Sequence, residues 1–288
     1  MKKETNILVV GLGLLGGSYA RALTAKGYRI FAIEKNEKSV EYALENGIVE
    51  YATTDEDKEL IKSADLVIFA LYPHIFLEWV SRHALDFKSG AVLTDVTGVK
   101  TAIVQKVQSV LPQDVEFISA HPMAGREVSG VENSDPSIFK NANYIVVPTE
   151  KNTKEAIALC ESLGEELGFS RISTLSPKEH DEMIAFLSQL THCIAVALMC
   201  ANETPNLERY TGDSFRDLTR IARINDEMWS ELFLLNRESL LYEMDSFKKA
   251  FDLLYDSIKN NDREKMREMM RTSTARRALF DKPKEKTI

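Results

Sequence analysis

Short apolar runs alternate with amphipathic segments through the first half of the chain, and the second half shows helical periodicity alone. The runs at 7–10, 30–33, 66–71, 91–94, 115–119 and 144–147 have the length and continuous apolarity of strands buried on both faces. Between them, 39–46, 55–62, 75–84, 99–110 and 153–167 read as helices, with Gly47 and Gly168 suited to C-terminal caps. A short strand near Tyr51 and an edge strand at Arg171–Thr174 complete the pattern. Strands and helices alternating in this way predict a parallel sheet covered on both faces. At Ser176-Pro177 the rhythm changes: a serine N-cap and a proline in the first turn open a helix that apolar positions from Met183 to Leu198 carry to about residue 202. Further helices are expected at 214–224, 226–260 and 262–280. The prediction is two domains, 1–174 and 175–288, an α/β domain followed by an all-α domain. The tail at 282–288 reads as solvated.

The long helices carry wide apolar faces, including Leu240, Phe247, Phe251 and Leu254. That is more than one small bundle can bury, so a homodimer built on this region is expected. With 44% apolar and 28% charged residues in 288, the composition is that of a globular protein. The net charge of −8 argues against nucleic acid as a partner. Cys160, Cys193 and Cys200 are odd in number and form no C-x-x-C, so they read as buried free thiols in a reducing compartment, and no metal is expected. Lys2 and Lys3 precede an apolar run, but Glu4 interrupts the basic end of what would otherwise resemble a signal peptide. The longest later apolar run, 193–201, is too short to span a bilayer, so the expectation is a cytoplasmic chain with no membrane partner.

The first strand and helix enclose Gly11-Leu12-Gly13-Leu14-Leu15-Gly16, a G-x-G-x-x-G spacing in strand-turn-helix context. The first glycine permits the tight turn, the second a close approach of backbone to a pyrophosphate, and the third close helix-strand packing. The next strand ends in Glu34, 18 residues after Gly16, where a carboxylate meets the ribose hydroxyls of NAD and repels the extra phosphate of NADP. A glycine turn with no ligand is the alternative, and strand, helix, strand and acid in order argue against it.

Three further constellations could carry chemistry. His121, in SAHPMAGREVSG, follows a sheet strand, where open α/β sheets collect their ligands, and its pKa range suits proton transfer. A loop-bracing histidine is the bland alternative. Ser188 and His192 share a helix face by i, i+4 spacing, and spacing does not decide between a packed hydrogen-bond pair and a cleft wall. In GDSFRDLTRIAR, Arg216, Arg220 and Arg223 recur at helical spacing beside Asp213 and Asp217. By spacing, solvated ion pairs explain this better than a bidentate grip on a substrate carboxylate.

Taken together, HPMAGRE, the S-x-x-x-H helix, and FRDLTRIAR followed by Trp229 resemble the prephenate/arogenate dehydrogenase family of tyrosine biosynthesis, from Gly11 to about Asn260. The resemblance implies a Rossmann-type dinucleotide-binding domain, an all-α dimerisation domain and an active site in the cleft between them. It matches His121 to the catalytic histidine that hydrogen-bonds the substrate's ring hydroxyl, and Ser188 and His192 to the substrate-site pair on the helix. It matches Arg220 to the carboxylate-binding arginine, Asp217 to the acid beside it, Glu127 to a gating or ionic-network acid, and Trp229 to an aromatic reaching toward the partner subunit's site. Gly11 to Gly16 and Glu34 match the NAD fingerprint. The family's D-V-G-S-V-K reads Asp95-Val96-Thr97-Gly98-Val99-Lys100 here, so Thr97 is the candidate to supply the missing serine hydroxyl. The implied reaction is NAD-dependent oxidative decarboxylation of prephenate, with arogenate as the alternative substrate. A 3-hydroxyacid-type dehydrogenase would need a lysine on the long helix, and none occurs between Lys178 and Lys248. A non-enzymatic NAD-binding protein would leave His121 and Arg220 without a role.

Overall fold

The computed structural model describes residues 1–126 and 128–281, and the chain forms two compact units that divide between Arg237 and Glu238. In the first, β1 (Asn6–Val10), α1 (Leu14–Ala25), β2 (Arg29–Ile33), α2 (Glu37–Glu45), β3 (Tyr51–Thr53) and α3 (Lys58–Ser63) make one half of a doubly wound sheet. The other half follows as β4 (Leu66–Phe69), α4 (Pro73–His83), β5 (Val92–Asp95), α5 (Thr101–Val110) and β6 (Glu116–Phe117). Strand order is β3-β2-β1-β4-β5-β6, every pair parallel. Successive residues of a strand point to opposite faces, so the unbroken apolar runs feed two cores. Ile7 and Val9 pack with Tyr19 and Leu23, while Leu8 and Val10 pack with Phe69, Phe76 and Trp79. The strand order reverses between β1 and β4, and that switch point is where such sheets bind ligands.

The remaining strands depart from the single parallel sheet expected. β7 (Ser119–Pro122), β8 (Asn143–Val147) and β9 (Arg171–Thr174), with α6 (Lys154–Leu167) between the last two, form a separate three-stranded sheet. Here β7 runs antiparallel to β8, with His121 opposite Ile145, and β9 is parallel to β8. The run expected at 115–119 therefore splits between two sheets. Ile118 still donates its N–H to Leu93 O, but the Ser119 hydroxyl and the Ala120 N–H turn to the Asp95 carboxylate. A buried side chain thus replaces the next rungs of the ladder and releases the chain to a new direction.

Beyond Leu175, the Ser176–Glu179 capping box starts α7 (Pro177–Ile184), as its residues predict. A π-helical turn, Ala185–Leu190, joins it to α8 (Thr191–Cys200). The turn was not legible as such, because π bulges carry no periodicity of their own. The combined segment Pro177–Cys200 is, by length and composition, long and apolar enough to cross a membrane, which corrects the estimate from the 193–201 run alone. α9 (Asp213–Thr219), a 3₁₀ turn (Arg220–Ala222) and α10 (Asp226–Leu235) complete the wall of the first unit. The helix expected over 226–260 breaks at Asn236, whose buried amide donates to Asp181 O and to Gln189 Oε1. The second unit holds most of α11 (Arg237–Lys259) and all of α12 (Arg263–Ala278), with Tyr242, Phe251, Tyr255 and Ile258 exposed along α11. Of the three thiols expected to be buried, only Cys160 is; Cys193 is half-buried and Cys200 exposed. The tail at 282–288 lies outside the described residues.

Candidate active site

A cavity of about 760 Å³ opens over the switch point, within the range of small-molecule sites. Its floor is the glycine turn (Gly13 to Leu15) and the ends of β4 and β5; its walls are the loop after β7, the α7–α8 segment and residues 221–232. Among the sequence candidates, the cavity brings together Gly13, Leu14, Leu15, Thr97, His121, Ser188, His192 and Trp229.

The floor fits a dinucleotide. Gly11 has φ +95°, and a Cβ there would lie 2.6 Å from Ala70 O. A Cβ on Gly16 would meet Gly11 O at 1.9 Å, so only glycine lets α1 pack this closely. Gly13, by contrast, has nothing within 4 Å of its would-be Cβ, leaving open space before the α1 N-terminus, whose N-cap carries no side-chain hydrogen bond. That is the cradle a pyrophosphate needs. Glu34 closes the edge of this turn, accepting the Leu12 N–H at 2.7 Å and the Asn36 N–H at 2.9 Å.

Behind the floor lies a polar network that spacing did not single out. The buried Lys100 ammonium donates to Asp95 Oδ2 (2.9 Å), Ala120 O (2.7 Å) and Thr97 Oγ1 (3.3 Å). Burial pushes its pKa down, opposed by the Asp95 charge. The Thr97 hydroxyl donates to Asp95 and so joins this network, while Thr97 also lies on the cavity lining. At Gly98 a Cβ would meet Leu232 at 3.5 and 3.6 Å, ordinary contact. The fold therefore has room there for a side chain that the sequence lacks.

His121 follows Ala120 on β7, so the Lys100 bond to Ala120 O fixes its backbone. Its Nδ1 lies 2.8 Å from His180 Nε2, and His180 Nδ1 lies 2.9 Å from Asp181 Oδ1. Burial, with the nearby Lys100 charge, holds the His121 pKa well below the ordinary histidine value. A neutral imidazole at working pH is a base ready to accept a proton. Position after a strand and the family resemblance both singled out His121 in the sequence. His180 and Asp181 stood in the predicted helix beside Pro177 without any spacing signal, because they meet His121 through a contact 59 residues away.

On the opposite wall the His192 ring stacks on Trp229 with centroids 3.7 Å apart, and its Nδ1–H donates to Ser188 O at 2.8 Å. The Trp229 indole lies against His192 of the same chain. The π turn is pinned by buried Gln189, which donates to Leu232 O at 3.0 Å, and so presents Ser188 to the cavity. Among the described residues the cationic side chains on the lining are Arg126 and Arg223. Arg220, on the 3₁₀ turn three residues before Arg223, and Asp217, exposed on α9, are not on it. Arg216 pairs with Asp213 at 2.6 Å on the surface, the solvated reading of that cluster. Glu127 lies outside the described residues.

A family model described as the prephenate dehydrogenase nucleotide-binding domain matches residues 19–172, and one described as the prephenate dehydrogenase dimerization domain matches 176–272. The chain is 30% identical to the prephenate dehydrogenase of Bacillus subtilis (strain 168) over 281 residues, 94% of this chain and 74% of that one. It superposes on prephenate dehydrogenase from A. aeolicus, solved with hydroxyphenyl propionate and NAD+, with a TM-score of 0.89 at 29% identity, covering 96% of this chain and 98% of that one. Synechocystis arogenate dehydrogenase matches with a TM-score of 0.83 at 27% identity, covering 96% of this chain and 100% of that one.

Proposed function

The chain belongs to the prephenate dehydrogenase family, and from that premise we propose that it oxidises prephenate with NAD+, releasing carbon dioxide and 4-hydroxyphenylpyruvate. The observation that carries this reading is the imidazole of His121 sharing one cavity with a glycine turn built for a dinucleotide. NAD+ supplies a hydride acceptor when bound, held by the turn from Gly11 to Gly16 with Glu34 toward the ribose. Gly98 and His121 would border its nicotinamide end, and His121 with Ser188 and His192 would line the space for the substrate. His121 takes the proton of the ring hydroxyl as that carbon loses hydride. Decarboxylation then aromatises the ring and makes the step effectively irreversible. Positioning of two reactants supplies most of the acceleration, and proton removal about 10²–10⁴-fold more.

The 3₁₀ turn Arg220–Ala222 and the Arg223 that follows it supply the carboxylate clamp, Arg220 on the family resemblance and Arg223 by its place on the cavity wall. Charge-assisted bonds of this kind contribute about 1.5–3 kcal/mol each. Arg220→Ala and Arg223→Ala are each expected to raise KM for prephenate roughly ten- to hundredfold with kcat nearly unchanged. Steady-state kinetics on both variants test this; unchanged KM in both would remove the clamp from this turn. The similarity to an arogenate dehydrogenase favours arogenate as the second reading of the substrate. Comparing kcat/KM on prephenate and arogenate with NAD+ decides it, with prephenate expected to be higher.

We further infer a division into domains at 174/175, supported by the boundaries of the two family models at 172 and 176. The compact unit extends to Arg237, and α7, α8 and α10 contribute to the cavity wall, with Leu232 of α10 in a core of the sheet. A homodimer through the helical domain is supported by the dimerization-domain match and by the exposed apolar side chains of α11. A cytoplasmic location accords with a biosynthetic dehydrogenase.

A further inference from the structure

We propose that His180 and Asp181 are positioning residues that lock His121 in a single tautomer, with its proton on Nδ1 and a bare Nε2 facing the cavity. This deepens the reading of His121 as the base and rests on it.

The order of donors and acceptors along the chain fixes the assignment. Asp181 is ionised: although burial works to raise its pKa, the hydrogen bonds from His180 and Thr101 hold it below the ordinary carboxylate range. Its Oδ1 accepts the Lys100 N–H and its Oδ2 the Thr101 N–H, both at 2.8 Å, at the start of α5. A carboxylate only accepts, so the His180 Nδ1 beside Oδ1, at 2.9 Å, must carry a proton. His180 is fully buried, and desolvation keeps its pKa below the ordinary histidine value despite Asp181, so the ring is neutral and its Nε2 is a lone pair. That lone pair lies 2.8 Å from His121 Nδ1, which must therefore be the donor. A neutral His121 then has its lone pair on Nε2, the nitrogen left to face the cavity that His121 lines.

The other charged groups around this chain do not reverse the assignment. Lys100 and Asp95 pair at 2.9 Å, and Arg126, Arg223 and His192 line the same cavity as His121. When His121 takes the substrate's proton, its Nδ1–H bond to His180 becomes charge-assisted, and Asp181 polarises His180 to strengthen it. His180 touches neither substrate nor cofactor, since it is absent from the cavity lining. Without it His121 would divide between two tautomers, one of which cannot accept the proton.

The test uses full-length protein labelled with ¹⁵N-histidine. In the wild type, His121 is expected to show a pyrrole-type Nδ1 and a pyridine-type Nε2; the opposite pattern overturns the proposal without any variant. His180→Phe removes the acceptor at nearly constant shape. It is expected to average the two His121 nitrogens and to lower kcat about 100-fold, with KM and the NAD+ dissociation constant within about threefold. His180→Gln places an amide oxygen where Nε2 was, and is expected to restore the single tautomer and bring kcat to within about tenfold of wild type. If His180→Phe keeps wild-type kcat, or loses it while His121 stays in one tautomer, the role is refuted. If the folded wild type fails to turn over prephenate at all, the functional reading fails instead, and the nitrogen shifts still report the tautomer.

Discussion

Replacing His121 by asparagine lowers kcat on prephenate by about 10²–10⁴-fold, the range general-base catalysis supplies, while NAD+ binds as before. The two effects separate because the imidazole sits on β7 and the dinucleotide cradle on the β1–α1 turn. Asparagine keeps a polar group in the pocket and so limits the structural damage to the 2.8 Å contact with His180. The pH profile carries a second signature. A base works above its pKa, and burial, with the nearby Lys100 charge, holds that of His121 well below the ordinary histidine value. The acid limb of kcat/KM in the wild type is therefore expected to fall below the ordinary histidine range, and to vanish in the variant. Rates measured by NADH absorbance across pH check both; a variant with wild-type kcat would remove His121 from the chemistry.

Lys100→Met is expected to be the most damaging single change to stability. Asp95 accepts from the Thr97 N–H and hydroxyl, the Ser119 hydroxyl and the Ala120 N–H, but among the described residues only Lys100 balances its charge, and both side chains are fully buried. Removing one member of a buried pair typically costs about 3–5 kcal/mol, because the other charge is left uncompensated. That is a large share of the roughly 5–15 kcal/mol that holds a typical domain folded. Urea denaturation measures the loss, and pairing Lys100→Met with Asp95→Asn should recover much of it, since the isolated charge is then gone. A single variant within about 1 kcal/mol of wild type would show that the pair is not what fixes the end of β5 to β7.

Much of this was legible in the residues. Ile7 to Val10, the glycines and Glu34 announce their own geometry, because burial on two faces and a positive φ restrict which residues can serve. Ser176, Pro177 and Glu179 likewise declare a helix start. The second sheet was not legible: what turns the chain after Ile118 is a carboxylate 24 positions earlier that captures the Ser119 hydroxyl. The π turn and the break at Asn236 are set by Gln189 and Asp181, partners distant in sequence. His121 was visible from its place after a strand, whereas the residues that tune it, His180, Asp181 and Lys100, read as ordinary helix-end polar groups. Arg220 and Asp217 owe their candidacy to the family resemblance, and the cavity lining adds Arg223 and Arg126.

A crystal structure with NAD+ and 4-hydroxyphenylpyruvate bound tests the central claim most directly. The expected result is the product's phenolic oxygen within about 3 Å of His121 Nε2, its ring against the nicotinamide, and its carboxylate toward the turn bearing Arg220 and Arg223. A product bound with its hydroxyl away from His121, or a nicotinamide seated in a different cavity from that imidazole, would contradict it.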